Sequence, residues 1–196
     1  LNYKEWIHEF DKMEGSMIEK LSKEYTELKE RPLLSVVVPV FNTPPKILLE
    51  TIDSVKRQIY ENWELIIVDD DSNRSEIIET LSEFQDYDKR LKIIFRDENG
   101  HISEASNTGL ENVSGEFVLF LDHDDLLREH SLLRFAQTLN ENPTCKLIYS
   151  DEDKINSLGK RVDPYFKPDW NPDLLLSQNY ICHLCCINVD LVREIS

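Results

Sequence analysis

Basic residues are scarce in this chain: 22 Lys and Arg face 38 Asp and Glu, for a net charge of -16. That deficit argues against nucleic acid or an anionic membrane as the main partner, because no basic patch could offset it. It does not argue against a nucleotide, since one bound divalent ion reverses the local field. Long apolar runs are missing too. No stretch approaches the ~20 residues of a membrane span, so no transmembrane segment is expected, and no signal-peptide pattern opens the chain. The resulting expectation is a cytoplasmic protein, with the inner face of the membrane as a place of peripheral contact. No Gly-x-Gly-x-x-Gly follows the first apolar run, which argues against a dinucleotide-binding domain. Internal repeats and low-complexity tracts are absent as well.

Cysteine is limited to Cys145, Cys182, Cys185 and Cys186, too few for a disulfide framework in a chain with this much core. The last three share the apolar segment Tyr180–Ile187 with His183, a cluster that could suggest zinc. A structural zinc site needs a second ligand pair, and only Cys145 is left to supply it. Small hydrophobes in a buried strand are the preferred reading.

What is present is an ordinary globular composition: 196 residues, 40% hydrophobic and 31% charged, enough for one domain with an appendage. The appendage is residues 1–32. Tyr3, Trp6, Ile7, Phe10, Met13, Met17, Leu21, Tyr25 and Leu28 recur at three- and four-residue steps, which predicts amphipathic helix, split in two near Gly15-Ser16 and ended by Arg31-Pro32. It reads as a helix packed on the domain that follows, or as a linker to further domains of a longer polypeptide. From Leu33 the pattern alternates. Strands are predicted at 33–41, 65–68, 91–95, 117–121 and 147–149, with helices at 44–58, 75–84, 102–110 and 129–140. Such alternation predicts an α/β fold with a mostly parallel sheet and helices on both faces. Pro39 belongs near its strand's end, where a missing donor is tolerable. After Ser150 a turn at 156–159 and a proline-punctuated stretch predict a long irregular binding loop or lid.

Two acidic clusters end apolar runs in this scheme. Asp69-Asp70-Asp71-Ser72 follows Leu65–Val68, and Asp122-His123-Asp124-Asp125 follows Phe117–Leu121. The carboxyl ends of such strands face the crevice where open α/β sheets bind ligands. Carboxylates packed this densely cost Coulomb energy unless a cation or protons neutralise them. A hard divalent ion bridging to a phosphorylated substrate explains them economically. A solvated turn capping the next helix is the plainer alternative.

The segments Ser35-Val36-Val37-Val38-Pro39-Val40-Phe41-Asn42, Val68–Ser72, Glu104-Ala105-Ser106-Asn107-Thr108-Gly109 and the Asp122–Asp125 tetrad, in this order, resemble family 2 glycosyltransferases with the GT-A fold. The resemblance covers about Leu33 to the end, making 33–196 a nucleotide-sugar-binding domain. Tyr149–Lys154 and Lys167–Leu175 bring it closer to bacterial enzymes that build O-antigen and other surface polysaccharides. It implies that Pro39 and Phe41 border the nucleotide, that Asp70 accepts a hydrogen bond from a pyrimidine imide, and that Asp69 holds that loop. It places Asn107, Asp122 and His123 along the sugar-nucleotide pocket and gives Mg²⁺ or Mn²⁺ to Asp122 and Asp124. His123 is the variable middle position, a spacer rather than a ligand. Asp125 caps the next helix or supports the ligands. Donor and acceptor would be a UDP- or dTDP-linked sugar and a saccharide or lipid-linked saccharide.

The implied reaction is hexosyl or deoxyhexosyl transfer with inversion. The ion stabilises charge on the departing diphosphate while a carboxylate takes the acceptor's proton. The resemblance puts that base after the strand around Cys182–Asn188, beyond Ser196, so the domain is expected to be truncated at its acceptor end. Asp151, Glu152 and Asp153 are the weaker substitutes. A nucleotide-sugar-binding or scaffold module without turnover is the main alternative. A nucleotidyltransferase of related fold is less favoured, because Phe41-Asn42-Thr43-Pro44-Pro45 lacks a glycine-rich phosphate loop with a basic residue.

Overall fold

The valine-rich run Leu34–Val40 forms strand β1, fully buried along its length, as a strand covered on both faces must be. The computed structural model describes residues 2–84 and 88–195. In chain order the helices and strands are α1 (Tyr3–Phe10), α2 (Gly15–Glu27), β1, α3 (Pro45–Lys56), β2 (Trp63–Asp69), α4 (Ser75–Phe84), β3 (Leu91–Phe95), α5 (His101–Glu111) and β4 (Phe117–Phe120). They continue as α6 (Ser131–Glu141), β5 (Leu147–Tyr149), β6 (Glu152–Ile155), β7 (Arg161–Tyr165), α7 (Pro172–Ser177), β8 (Cys185–Asn188) and α8 (Val189–Ile195).

Six of these strands form one sheet in the order β3-β2-β1-β4-β8-β5. The first four run parallel, as the alternation predicts. β8 then inserts antiparallel between β4 and β5, so the fifth strand in sequence is an edge strand rather than the next member of a parallel run. Its half-buried residues fit that edge position. β4 pairs with β1 only as far as Val37, so Pro39 meets no ladder position on that side. α5 presses closely on β1 through Gly109, where a Cβ would lie 2.3 Å from Val37 Cγ1.

Three expectations are corrected. Residues 151–165 are not an irregular loop: they form the β6–β7 hairpin, closed by a turn in which the Gly159 amide donates to the Asn156 carbonyl at 2.8 Å. The local polar bonds of Asn156, which also accepts from the amides of Leu158 and Lys160 at 3.0 Å, make that turn. The N-terminal break falls at 11–14, and Gly15 opens α2 rather than dividing it. The strand expected through the cysteines begins only at Cys185.

Residues 2–27 pack on the domain. Leu21 is fully buried in the main core, with Met13, Met17, Tyr25 and Leu28 against it. At the amino end of the parallel strands, Glu64 is buried and fully used. Its oxygens accept from Ser35 Oγ at 2.6 Å, Lys92 Nζ at 2.7 Å and the Gly115 amide at 3.2 Å, and the Ser114 amide donates to it as well. Burial opposes its ionisation, yet Lys92, Ser35 and the Ser114 amide together hold its carboxyl below the usual range.

Candidate active site

β2 delivers the first acidic cluster at its carboxyl end. Asp69 is buried, and its Oδ2 accepts from the Ser72 amide at 3.0 Å while Oδ1 has no hydrogen-bond partner. The chain turns through Asp71 with φ of 60°, a conformation Asp tolerates because its short side chain bonds locally. Ser72 Oγ accepts from the Asn42 amide at 2.8 Å, and Asn42 Oδ1 accepts from the Asn73 amide at 3.1 Å. The loops after β1 and β2 are thereby clasped together.

Asp70 is the most constrained residue of the cluster. Its carboxylate pairs with Arg96 Nε at 2.8 Å and accepts from the Gly100 amide at 3.1 and 3.2 Å. Its own amide donates to the Val40 carbonyl at 2.8 Å, and its carbonyl accepts from Asn99 Nδ2 at 2.9 Å. A carboxylate has about four acceptor positions, so limited capacity is left for a ligand. Arg96 also lines an open recess of about 370 Å³ with Ile94, Phe95 and Thr108.

β4 delivers the second cluster. Asp122 Oδ2 lies 3.3 Å from His183 Nε2, and Asp122, Asp125 and His183 each offer a ligand atom within 4.8 Å of the others. Among the described residues this is the group of such side chains close enough to hold a metal ion. His183 arrives because β8 runs antiparallel to β4, with Leu119 opposite Cys186, so the entry to β8 lies beside the exit from β4. Its backbone is held on both sides. The His183 amide donates to Glu152 Oε2 at 2.7 Å, its carbonyl accepts from Lys167 Nζ at 2.7 Å, and that ammonium, 1% exposed, pairs with Glu152 at 3.0 Å.

Burial pushes the Asp125 carboxyl above the usual range; His183 opposes this, while Asp122, Asp124 and Glu152 add to it. Asp125 does not cap a helix, since α6 starts only at Ser131 with His130 at its cap. Asp124 stands apart, 60% exposed, with His123 Nδ1 3.8 Å away. The His123 carbonyl accepts from Thr51 Oγ1 at 2.9 Å, which anchors the tetrad's backbone to α3.

The other candidates scatter. Pro39 is buried in β1, Phe41 is exposed just past it, and Asn107 is exposed on α5 with no hydrogen bond to either cluster among the described residues. Asp151 is exposed and accepts from the Lys167 amide at 2.8 Å. Glu152 is occupied by Lys167, and Asp153 by Tyr3 and Arg161. Burial, with the bond to Asp153, pushes the Tyr3 hydroxyl up to about 12. Sequence reasoning missed Arg96, Gly100 and Lys167, and weighed His183 only beside cysteines. Burial raises the Cys185 thiol to about 11, and Cys186 is in the core.

A mostly parallel sheet whose β2 and β4 end in acidic clusters, with a mixed edge at β8 and β5, is a GT-A fold. A mannosyltransferase from Pyrobaculum calidifontis, solved with GDP-Man and Mn2+, superposes with a TM-score of 0.63 at 17% identity, over 92% of this chain and 53% of that one. The chain belongs to glycosyl transferase family 2, whose model matches residues 35–196. It is 34% identical over 86% of its length to the O-antigen biosynthesis protein RfbC of Myxococcus xanthus. It is 33% identical over 83% of its length to WfgD of Escherichia coli, a UDP-Glc:alpha-D-GlcNAc-diphosphoundecaprenol beta-1,3-glucosyltransferase. The chain spans 13% of the first relative and 61% of the second. Among the described residues no helix is long and apolar enough to cross a membrane.

Proposed function

We propose that this chain is the donor-binding part of a metal-dependent, inverting glycosyltransferase that uses a UDP- or dTDP-sugar to extend a saccharide or lipid-linked saccharide in bacterial surface-polysaccharide synthesis, on the cytoplasmic side. The observation that carries it is the convergence of two unlike acidic sites at one end of the sheet. One is a rigid hydrogen-bonding site at Asp70, the other a carboxylate–imidazole cluster at Asp122. The functions that RfbC and WfgD are named for support the polysaccharide setting and the UDP-linked donor. Residues 33–196 are then the nucleotide-sugar-binding domain and 1–32 its helical extension.

The residues present suit a divalent ion. Asp122, Asp125 and His183 supply carboxylate oxygens and an imidazole nitrogen within 4.8 Å of one another, a set that suits Mn²⁺ better than Mg²⁺, which prefers oxygen alone. In this reading Asp122 is a ligand together with the clustered Asp125 and His183, and the family resemblance adds Asp124, whose side chain is 60% exposed. When bound, the ion neutralises charge on the departing diphosphate. Asp70 and Arg96 orient the base, with Pro39, Phe41 and Asp69 bordering it, while His123 and Asn107 line the sugar side. The general base is then taken from an acidic motif after the β8 strand. Asp153 is engaged by Tyr3 and Arg161, and Glu152 by Lys167, which leaves Asp151 as the weaker candidate with an exposed carboxylate.

Calorimetry of a nucleotide-sugar panel with and without Mn²⁺ tests this reading. UDP- or dTDP-sugars should bind in a manner abolished by chelator. Binding that is equal in chelator would remove the ion from the mechanism, and no binding of any member would remove the reading.

A further inference from the structure

α1 does more than cover the domain. It closes one side of a cavity of about 940 Å³ that runs from Asp124, Asp125 and His183 to Trp6 and Phe166. That size is within the range of small-molecule sites, ~300–1,000 Å³. The far wall is aromatic: the Trp6 ring centre lies 5.3 Å from that of Phe166, 5.9 Å from Tyr3 and 5.8 Å from Phe10. Phe10 and Phe166 are 51% and 52% exposed, so these rings are only partly consumed by one another.

The wall is held in place by a buried charge hub. Asp11, just past α1, is 7% exposed, pairs with Arg161 of β7 and with Arg128 Nε at 3.3 Å, and lies 3.8 Å from the His130 imidazole. Its carbonyl also accepts from Arg128 Nη2 at 3.0 Å. Arg128 lies three residues beyond Asp125, so one carboxylate ties α1 to both the acidic tetrad's loop and the β6–β7 hairpin. Tyr3 adds a second tie, donating its hydroxyl to Asp153 and accepting from Arg161 Nη2 at 3.2 Å.

The electrostatics narrow the occupant. Arg128, Arg134 and Arg161 border the cavity, but each is spent on a carboxylate: Asp11, Glu24, and Asp11 with Asp153. Exposed Asp124 and Asp151 also line it, and Lys154 is the lining cation without an ion pair among the described residues. A phosphate or other anion finds few partners there. A neutral polyol does: carboxylates accept hydroxyl protons, and aromatic faces pack on the C–H faces of a sugar ring.

We propose that this cavity is a saccharide site in which Trp6 of α1 and Phe166 are the stacking surfaces and exposed carboxylates accept the hydroxyls. Resting on the transferase reading, its occupant is the acceptor, presented toward the Asp122–His183 cluster. The N-terminal helix is then part of the substrate site.

The test uses the 196-residue chain labelled with 5-fluorotryptophan, whose three tryptophans are Trp6, Trp63 and Trp170. Trp63 is 1% exposed and Trp170 is 56% exposed, giving a buried and an exposed reference. Methyl glycosides of glucose, galactose, mannose, rhamnose and N-acetylglucosamine are titrated, with tetramethylammonium as a cationic probe of the same aromatic wall. The Trp6 fluorine resonance, assigned by its loss in Trp6→Phe, should shift saturably with at least one glycoside while the other two stay. Phe166→Ala, at a half-exposed position, should weaken that binding roughly two- to tenfold and leave UDP-sugar binding within about twofold. A Trp6 signal unmoved by every glycoside, moved only by tetramethylammonium, or matched by Trp170 overturns the proposal. Calorimetry on the same sample separates the two readings: UDP-sugar binding with a silent Trp6 sinks the saccharide site alone. A responsive Trp6 without UDP-sugar binding sinks the transferase reading alone.

Discussion

Two acidic clusters leave parallel strands at the same end of one sheet, yet the protein treats them oppositely. At the end of β2, Asp69 and Asp70 are buried, and Asp70 is matched by Arg96 at 2.8 Å and the Gly100 amide. At the end of β4, Asp124 is 60% exposed and the group facing Asp122 is an imidazole, His183, at 3.3 Å. In the first, folding has already supplied the compensating charge, so the carboxylate is a fixed acceptor. In the second, burial raises the Asp125 carboxyl and the carboxylates of Asp122, Asp124 and Glu152 add to it, so an added cation has something to gain. Glu64, at the opposite end of the strands, is the extreme case of the first kind, a carboxylate wholly absorbed by structure.

The largest effect should come from that extreme. Glu64→Ala takes the acceptor from the Ser114 amide and the buried Ser35 hydroxyl, while Lys92 keeps the Asn112 carbonyl and Ser114 Oγ and the Gly115 amide keeps Ser35 Oγ; each buried polar group left unsatisfied costs about 1–3 kcal/mol. Urea unfolding should show it, with nucleotide binding retained wherever the variant is folded. The pH dependence follows from the lowered carboxyl. Its contribution is fully present above the ordinary value of 4.5 and fades as pH falls through the lower folded value. Glu64→Gln should therefore lose less stability than the parent between pH 4.5 and strongly acidic pH, and equal loss would show that other groups set the acid limit.

Next in size, Asp122→Ala should weaken Mn²⁺-dependent nucleotide-sugar binding more than about hundredfold, beyond what outer-shell changes cause. The pair Asp124→Asn and Asp125→Asn sharpens the contrast between exposed and clustered carboxylates. Whichever loses Mn²⁺ binding more, read by the ion's paramagnetic resonance, is the nearer ligand. Loss in neither would break the description of the tetrad as a cation site. A smaller effect belongs to Asp70→Ala: a bond to a charged acceptor is worth about 1.5–3 kcal/mol, roughly ten- to hundredfold, with metal dependence intact. Should that variant bind uridine and guanosine diphosphates as the parent does, the β2 cluster is not a base reader. The smallest change is Leu176→Ser, at a side chain 88% exposed, expected within about 0.5 kcal/mol by thermal unfolding.

Much of the fold was legible. Helix 75–84 and strands 91–95 and 147–149 were placed at the boundaries they adopt, because apolar periodicity and flanking turn residues are local signals. The β6–β7 hairpin was missed because Glu152–Ile155 and Arg161–Tyr165 are charged and only half-covered, without the apolar alternation that marks a strand. Of the site, Asp122 could be read from its place after an apolar run. His183 could not, since nothing local says that the segment before Cys185 returns beside β4.

The sequence alone determined the β/α alternation, the sheet's buried centre and the strand ends that carry carboxylates. These depend on which residues stand next to one another along the chain. Only the tertiary structure decided which carboxylates are satisfied. Asp70 meets Arg96 where β2 and β3 end side by side, Asp122 meets His183 because β8 enters antiparallel, and Asp11 joins α1 to Arg128 and Arg161. Charge compensation is a matter of distance in space, and pairs separated by tens of residues or more leave no periodic trace in the chain.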